Sequence, residues 1–402
     1  MQSGDFDESY GSESDWPVGV EGIADLGTDW EAVMQVLPAQ WQNKALELHA
    51  VRRQLRNFEN VASVLRVLMI HLADGCSLRE TAMRAKEGGL ADVSSVALFK
   101  RLRSCGPWFQ WITQELVSAM ALPQASGALL AGRRVRLMDG STVSEPGATG
   151  STWRVHYALN LQTLGCDEVH VSDASEGESL TRYLIQPGDV VMADRGYANR
   201  RGLLHVLQHQ GDVVLRTGPS KITVHDAQGQ VLDLLKPLRK LRVGEAGDVQ
   251  VWLPCKAGGK SDKLDKPVPM RLCAYRKTHA QRRAAVKAIE QEARRKGTQV
   301  KEQTLEAAGY VMVLTTLMQP SASQIMELYR RRWQVELAFK RLKSLLQLGH
   351  LKKVDAQGAQ AWLQGKLMVA CLIETLALMA ERFSPWGYRL PAQAAEPALP
   401  LA

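Results

Sequence analysis

Residues 135–141 read VRLMDGS, and four further apolar runs, separated by turn residues, follow before residue 219. They are WRVHYALNLQT (153–163), DEVHVSDAS (167–175), DVVMADRGY (189–197) and GDVVLRTG (211–218). Short runs that are rich in β-branched residues and bounded by Gly, Asp or Ser are typical of β-strands. The sequence therefore predicts five strands in this region.

Two segments between the later strands have helical composition. They are GESLTRYLIQ (177–186) and NRRGLLHVLQHQG (199–211). Three strands followed by helix, strand, helix and strand is the order of a ribonuclease-H-like α/β core, whose first three strands form an antiparallel meander. We therefore predict an α/β fold of this type.

The segment from residue 212 to residue 310 interrupts the pattern. It holds the short strand candidates VQVWLPC and MRLCAYR and a charged helix from about Ala280 to Lys296. Its length predicts a mostly β inserted subdomain. The run VMVLTT (311–316) returns to the core, and a long helix follows from about Ser323.

The N-terminal part is helical in pattern, with apolar residues at helical spacing from residue 30 to about 120. Ser77 and Glu80 suggest a capping box, and Gly88 with Gly89 ends that helix before a second one from about Ser94 to Ser104. The two helices favour a helix-turn-helix that binds DNA through Lys100 and Arg101, and a plain helical hairpin is the alternative.

Charge is unevenly distributed along the chain. The net charge is +8, but residues 1–43 hold nine acidic residues and no Lys or Arg. The rest contains all 50 basic residues and only 33 of the 42 acidic ones, a balance of +17. Such a basic body suggests a nucleic-acid partner, although unrelated basic proteins are common.

The six cysteines are scattered without a C-x-x-C pair, which argues against a zinc site and against disulfides. No apolar run is long enough to cross a membrane, and the N-terminus lacks a secretory signal. We therefore expect a cytoplasmic protein that does not associate with membranes.

Two aspartates, Asp139 in LMDGS and Asp194 in VMADRGY, are predicted to end strands. Carboxylates in such positions bind a divalent cation, anchor a turn, or do both. Asp173 in VHVSDAS also ends a predicted strand, but it lies on the outer strand of the meander and lacks the R-x-Y that follows Asp194.

The segment YRRRWQVELAFKRLKSLL begins at Tyr329 and is predicted to form one helix. On a helical wheel Tyr329, Arg332, Glu336 and Lys343 share an arc about 60° wide. Salt bridging on a surface helix explains the Glu and the Lys, but it does not explain the alignment of all four groups.

These residues resemble a known family. The spacing Y-x2-R-x3-E-x6-K is the signature of the insertion-sequence-four family of bacterial DDE transposases, and Tyr329, Arg332, Glu336 and Lys343 match each place. That family also has D-G-S/T, as at Asp139, and D-R-x-Y, as at Asp194. The resemblance covers roughly residues 130–350.

The resemblance implies a mobile-element transposase that binds terminal inverted repeats, cleaves DNA and transfers strands, acting as a homodimer on double-stranded DNA. Asp139, Asp194 and Glu336 would hold two Mg²⁺ (or Mn²⁺) ions about 4 Å apart, hard cations that prefer oxygen ligands. Arg332 and Lys343 would hold phosphates, with Tyr329 nearby. Tyr310 is the candidate for stacking on a flipped base, and it could equally be an ordinary strand residue.

Two other functions share some of these features. A ribonuclease-H-like nuclease without strand transfer would need the carboxylates but not the four-residue signature. A silent, transposase-derived DNA-binding protein would not need the intact Asp139, Asp194 and Glu336.

We therefore expect four parts. They are a disordered acidic N-terminus (1–29), an all-α DNA-binding domain (30–127), a ribonuclease-H-like catalytic domain (128–385) with its insertion at about 212–310, and a disordered tail (386–402).

Overall fold

The computed structural model describes residues 29–52, 54–120, 130, 132–145, 150–255, 264–345, 351 and 355–382. Most of the segments expected to be disordered, 1–28 and 386–402, lie outside this part of the chain. The fold is α/β, as predicted. Within the described residues no helix is both long and apolar enough to cross a membrane.

A mixed eight-stranded sheet forms the centre of the described part of the molecule. Its strands are β1 (Val135–Val143), β2 (Trp153–Asn160), β3 (Cys166–Asp173), β4 (Val190–Ala193), β5 (Asp212–Arg216), β6 (Ala246–Leu253), β7 (Val268–Arg276) and β8 (Tyr310–Thr315). They lie in the order β3-β2-β1-β4-β5-β8-β7-β6.

The pairing directions bring the carboxyl end of β4 beside the middle of β1. β1, β2 and β3 form the predicted antiparallel meander, whereas β4 is parallel to both β1 and β5. The carboxyl end of β5 therefore lies next to that of β4. Strand β8 is antiparallel to β5 and to β7.

The segment 212–310 does not form a sheet of its own. Its first strand, β5, pairs with β4, and its later strands β6 and β7 join the same sheet through β8. The strand content is as expected, but the strands extend the core sheet. Periodicity along the chain carries no information about which sheet edge a strand will join.

The helix predicted for GESLTRYLIQ is wrong. Only a 3₁₀ turn forms, Leu180–Arg182, and the chain is extended again at Tyr183. The backbone N–H of Leu184 donates to the carboxylate of Glu168 at 3.1 Å, which holds the chain against β3. Pro187 follows two residues after Ile185, and the residue before a proline is disfavoured in a helix.

Among the described residues, six helices precede the sheet. They are α1 (Asp29–Val36), α2 (Trp41–Glu47), α3 (Val61–Leu72), α4 (Leu78–Glu87), α5 (Ser95–Ser104) and α6 (Gly106–Met120). The long helix α13 (Ala356–Arg382) packs against α6, α5 and α3. Trp108, fully buried, stacks on Trp41 with 5.9 Å between ring centroids. The helical layer is thus built from both ends of the chain.

Helix α4 begins where the sequence predicts, although its capping box is incomplete. The hydroxyl of Ser77 accepts from the backbone N–H of Glu80 at 3.1 Å. The carboxylate of Glu80 instead accepts from Arg84 at 2.9 Å, one turn further along the helix.

The remaining helices follow β4. They are α7 (Arg200–Gln208), α8 (Leu235–Leu238), α9 (His279–Lys296), α10 (Glu302–Ala307), α11 (Ala322–Arg330) and α12 (Trp333–Leu345). Helix α12 packs on β1 and β2, so it crosses the strand that carries Asp139.

A buried ion network joins the amino-terminal end of β1 to neighbouring strands. The side chain of Arg136 is 1% exposed and pairs with Asp167, with Glu168 at 2.6 Å and with Asp189 at 3.5 Å. Arg134 also reaches Asp189 at 2.8 Å. Because a buried guanidinium is costly unless it is paired, the network constrains how β1, β3 and β4 align.

We expect Arg136→Met to lower the free energy of unfolding by about 3–5 kcal/mol, because it leaves buried carboxylates without their cation. Chemical denaturation measures the loss. The control Arg84→Gln breaks an exposed pair on α4 and should cost less than about 1 kcal/mol. Equal stability of Arg136→Met and the wild type would show that the network does not hold the strands.

Candidate active site

Asp139 and Asp194 lie on neighbouring interior strands, at the carboxyl end of β4. The last residues joined in the parallel pairing of β1 with β4 are Met138 and Ala193, so each aspartate is the next residue along its strand. Adjacent strands lie about 4.8 Å apart. β1 does not end at Asp139 as predicted, because its pairing with β2 continues to Val143.

One oxygen of each aspartate is fixed by the backbone. Asp139 Oδ1 accepts from the N–H of Gly140 at 2.8 Å, and Asp194 Oδ1 accepts from the N–H of Gly196 at 2.7 Å. Burial raises the pKa of Asp139 to about 6, and the charges of Asp194 and Glu178 add to this rise. The Gly140 N–H and the Arg332 guanidinium oppose it. The site therefore concentrates negative charge.

The signature segment is two helices, and the prediction of one continuous helix is wrong. Helix α11 ends at Arg330 and α12 begins at Trp333. The N–H of Arg332 donates to the carbonyl of Tyr329 at 3.0 Å, a three-residue spacing that turns the chain. A helical wheel assumes one straight axis, so it cannot show this change of direction.

The turn carries Arg332 into the site. Its guanidinium lies 3.6 Å from Asp139 Oδ2 and pairs with Glu336 in the first turn of α12. The side chain of Arg332 is 14% exposed, whereas that of Glu336 is 57% exposed. The guanidinium of Arg332 thus contacts both carboxylates and links Glu336 to Asp139.

Tyr329 is buried near the end of α11, beside Arg332. Burial raises the pKa of its hydroxyl, while Arg332 and Arg216 oppose the rise. Lys343 is exposed on α12 and lines an open cleft of about 510 Å³ together with Asp139 and Glu336. Lys340, which the sequence did not single out, lines the same cleft.

Apolar residues hold α12 over the sheet. Val335, Phe339 and Leu342 are buried, and the Phe339 ring lies 5.6 Å from that of Tyr157 on β2. Since Tyr157 pairs with Asp139 across the β1–β2 ladder, this contact fixes α12 directly beside the aspartate.

Residues 130–372 match the family model of the transposase DDE domain.

The chain belongs to the DDE transposases.

Two curated relatives cover nearly the same length. The putative transposase InsL of the insertion sequence element IS186A, from Escherichia coli (strain K12), is 32% identical over 89% of this chain and 96% of its own. The transposase of IS421, from Escherichia coli, is also 32% identical over the same shares. A solved piggyBac transposase synaptic complex with hairpin DNA covers 89% of this chain and 75% of its own at 9% identity, but its TM-score of 0.46 is too low to support an argument.

The family match and the two bacterial relatives confirm the prediction of a bacterial insertion-sequence DDE transposase. The protein is accordingly an enzyme that acts on DNA, and its family uses divalent metal ions.

The donor chemistry of this transposase suits a hard cation, although no ready-made site is present. Among the described residues no three His, Cys, Asp or Glu side chains are arranged to hold a metal ion. However, Asp139, Asp194 and Glu336 offer only carboxylate oxygens, the ligands that Mg²⁺ and Mn²⁺ prefer. The Arg332 guanidinium between Asp139 and Glu336 shows that these carboxylates accept a positive charge. The residues therefore fit the metal that the family implies.

Glu178 is a fourth carboxylate at the site, and the sequence did not reveal it. It follows β3 in the loop that leads to the 3₁₀ turn, and its Oε1 accepts from Arg154 at 2.8 Å. Asp173, five residues earlier, is exposed and anchors a turn by accepting from the N–H of Ser175 at 2.8 Å. Loop residues have no periodicity from which their direction can be inferred.

Tyr310 begins β8 and is buried, with the Arg276 guanidinium 5.9 Å from its ring centre. It lines a second cleft, of about 500 Å³, with a group of cationic residues. These are Arg239, Arg276, Lys277 and Arg282. The cleft lies toward the carboxyl end of β5, the same end that carries Asp194 on β4.

The two predicted DNA contacts on α5 are not equivalent. Lys100 is exposed, whereas Arg101 donates to the backbone carbonyl of Ala50 at 3.4 Å. Arg103, on the same helix, is 3.2 Å from Asp355 and 2.9 Å from the Gln357 side chain. Lys100 is therefore the better placed of the two to meet DNA.

We expect Gly196→Ala to reduce strand cleavage about 10- to 100-fold, since a displacement of about 1 Å at a reacting centre has this effect. A Cβ at Gly196 would lie 1.9 Å from Glu178 Oε2 and 3.1 Å from Asp194 Oδ1. Single-turnover nicking of end DNA measures the change. The control Gly150→Ala meets no atom within 4 Å and should cleave normally. Normal cleavage by Gly196→Ala would show that the loop tolerates a side chain there.

Proposed function

We propose that this transposase binds the terminal inverted repeats of its mobile element and moves it by cut-and-paste transposition. Asp139, Asp194 and Glu336 form its catalytic centre. The observation that carries the proposal is the convergence of two neighbouring strands and one helix. Asp139 and Asp194 directly follow the last residues that pair β1 with β4, and Arg332 contacts both Asp139 and Glu336 of α12.

The strand order supports a ribonuclease-H-like core. The order β3-β2-β1-β4-β5, with an antiparallel meander followed by two parallel strands, has the connectivity that the sequence predicts for that core. The helix that crosses β1 and brings Glu336 comes after the added strands β6, β7 and β8.

Asp139, Asp194 and Glu336 would hold two Mg²⁺ or Mn²⁺ ions. Such ions would stabilise negative charge on the attacking and leaving oxygens of a phosphodiester. Water would attack first, releasing a 3′-hydroxyl that then attacks target DNA.

The cationic groups around the cleft would hold the DNA. Lys343 and Lys340 are positioned to bind phosphates beside Asp139, and Arg332 would exchange carboxylate contacts for phosphate contacts. Tyr329 is buried, so we propose that it supports the turn bearing Arg332. Stacking of a base on Tyr310 would require Arg276 to move from its ring.

The helices α4 and α5 would read the terminal repeats as a helix-turn-helix. Two copies of the chain would act together, because an element has two ends. The bacterial cytoplasm, where the nucleoid lies, is the compartment that such a substrate requires.

We expect Asp139→Asn, Asp194→Asn and Glu336→Gln each to abolish strand cleavage while end binding stays nearly unchanged, because phosphate contacts dominate affinity. Gel-shift and cleavage assays with labelled end DNA and Mg²⁺ separate the two properties. Asp173→Asn is the matched control and should cleave normally. Full cleavage by any of the first three variants would remove that residue from the catalytic centre.

Lys100→Ala should weaken end binding and reduce the slope of log affinity against log salt by about 1, as expected for one lost phosphate contact. Arg101→Ala is the comparison: it removes a hydrogen bond to Ala50 and should lower thermal stability while leaving the slope unchanged. A salt titration of both variants makes the measurement. An unaltered slope for Lys100→Ala would make α4 and α5 a plain helical hairpin.

A further inference from the structure

Glu178 lies against the two glycines that follow the proposed catalytic aspartates along the chain. A Cβ built on Gly140, the residue after Asp139, would lie 3.2 Å from Glu178 Oε1. A Cβ built on Gly196 would lie 1.9 Å from Glu178 Oε2. The carboxylate therefore rests on the backbone of both glycines, in space that any other residue at position 196 would fill.

This position brings Glu178 close to Asp194. The Gly196 Cβ position is 1.9 Å from Glu178 Oε2 and 3.1 Å from Asp194 Oδ1, so the two oxygens are no more than about 5 Å apart, a distance at which like charges repel. In agreement, burial and the charge of Asp194 raise the pKa of Glu178, against the effect of Arg154 and Lys221.

A charged carboxylate that lies beside other carboxylates is destabilised by their repulsion unless a cation is bound nearby. Arg154 compensates part of the charge, and it grips Oε1 while Oε2 faces Gly196 and Asp194. The side chains of both partners are largely buried, at 19% and 24% exposed, so the pair is not a solvated surface contact. Arg154 thus orients Glu178 toward the catalytic centre.

We propose that Glu178 is a further carboxylate of the metal centre, a positioning residue that strengthens binding of the divalent cation through its charge and through hydrogen bonds to the water that the cation carries. This proposal rests on the proposed function of Asp139, Asp194 and Glu336. It also accounts for glycine at position 196, because the carboxylate needs that space.

The test is a titration of the full chain with Mn²⁺, followed by electron paramagnetic resonance of the free ion. Glu178→Gln keeps the shape and can still accept from Arg154, but it loses the charge. We expect its Kd for Mn²⁺ to rise about 10- to 100-fold, the usual effect of losing a residue that supports metal ligands. Its thermal midpoint without metal should match the wild type, which separates a metal role from a structural one.

The matched control is Glu176→Gln, in the same loop. Glu176 is 52% exposed and pairs with Arg182 at 2.8 Å, so its loss should leave the Kd for Mn²⁺ unchanged. A Kd for Glu178→Gln equal to that of the wild type would overturn the proposal and leave the proposed function intact. Absence of Mn²⁺ binding by the wild type would overturn both.

A measurement on the unmodified protein guards against misfolding of the variant. With Fe²⁺ in place of Mn²⁺, ascorbate and hydrogen peroxide generate hydroxyl radicals that cut the backbone next to the ion. We expect cuts near residues 139, 194 and 178. Cuts at the first two positions without any between residues 175 and 181 would place Glu178 outside the reach of the metal and overturn the proposal.

Discussion

The parallel pairing of β1 with β4 is the constraint on which the catalytic centre depends. It ends at Met138 and Ala193, so the next residue of each strand is one of the two aspartates of the proposed catalytic centre. β4 stops there, whereas β1 continues beside β2, and this leaves one side of Asp139 open. Helix α12 places Glu336 on this open side, and the contact of Phe339 with Tyr157 holds the helix there. The backbone ladder, rather than any single side-chain contact, sets the spacing of the two aspartates.

Clusters of opposite charges lie at two places along β1. At its amino-terminal end the buried guanidinium of Arg136 is surrounded by the carboxylates of Asp167, Glu168 and Asp189. Near Asp139, in the middle of the strand, Arg332 and Arg154 compensate the charge of carboxylates. The first cluster is buried and aligns the strands. The second faces a cleft, which leaves Asp139 and Glu336 accessible.

The parts of the site that the sequence predicted are those fixed by local pattern. The apolar runs before Asp139 and Asp194 were predicted to be strands, because β-strands can be recognised by their composition and by the turn residues that flank them. The apolar face of α12 was likewise predictable, since Val335, Phe339 and Leu342 recur at helical spacing.

The parts that the sequence missed depend on contacts between distant segments. The turn at Arg332 separates Tyr329 from Glu336, and no residue in the segment is a glycine or a proline that would mark the break. Glu178 reaches the site only because the loop after β3 folds back over Gly140 and Gly196. The addition of β6 and β7 to the core sheet likewise depends on pairing with β8, far along the chain.

A strand-resolved cleavage assay distinguishes strand transfer from simple hydrolysis. The purified chain is incubated with the DNA that flanks its coding sequence, a target plasmid and Mg²⁺, and the labelled strands are followed over time. We expect a nick that leaves a 3′-hydroxyl at the element's end, then release of the end, and finally joining of that hydroxyl to the target. Hydrolysis of the end DNA that never yields a joined product, at any time or Mg²⁺ concentration, would contradict cut-and-paste transposition and would make the protein a nuclease.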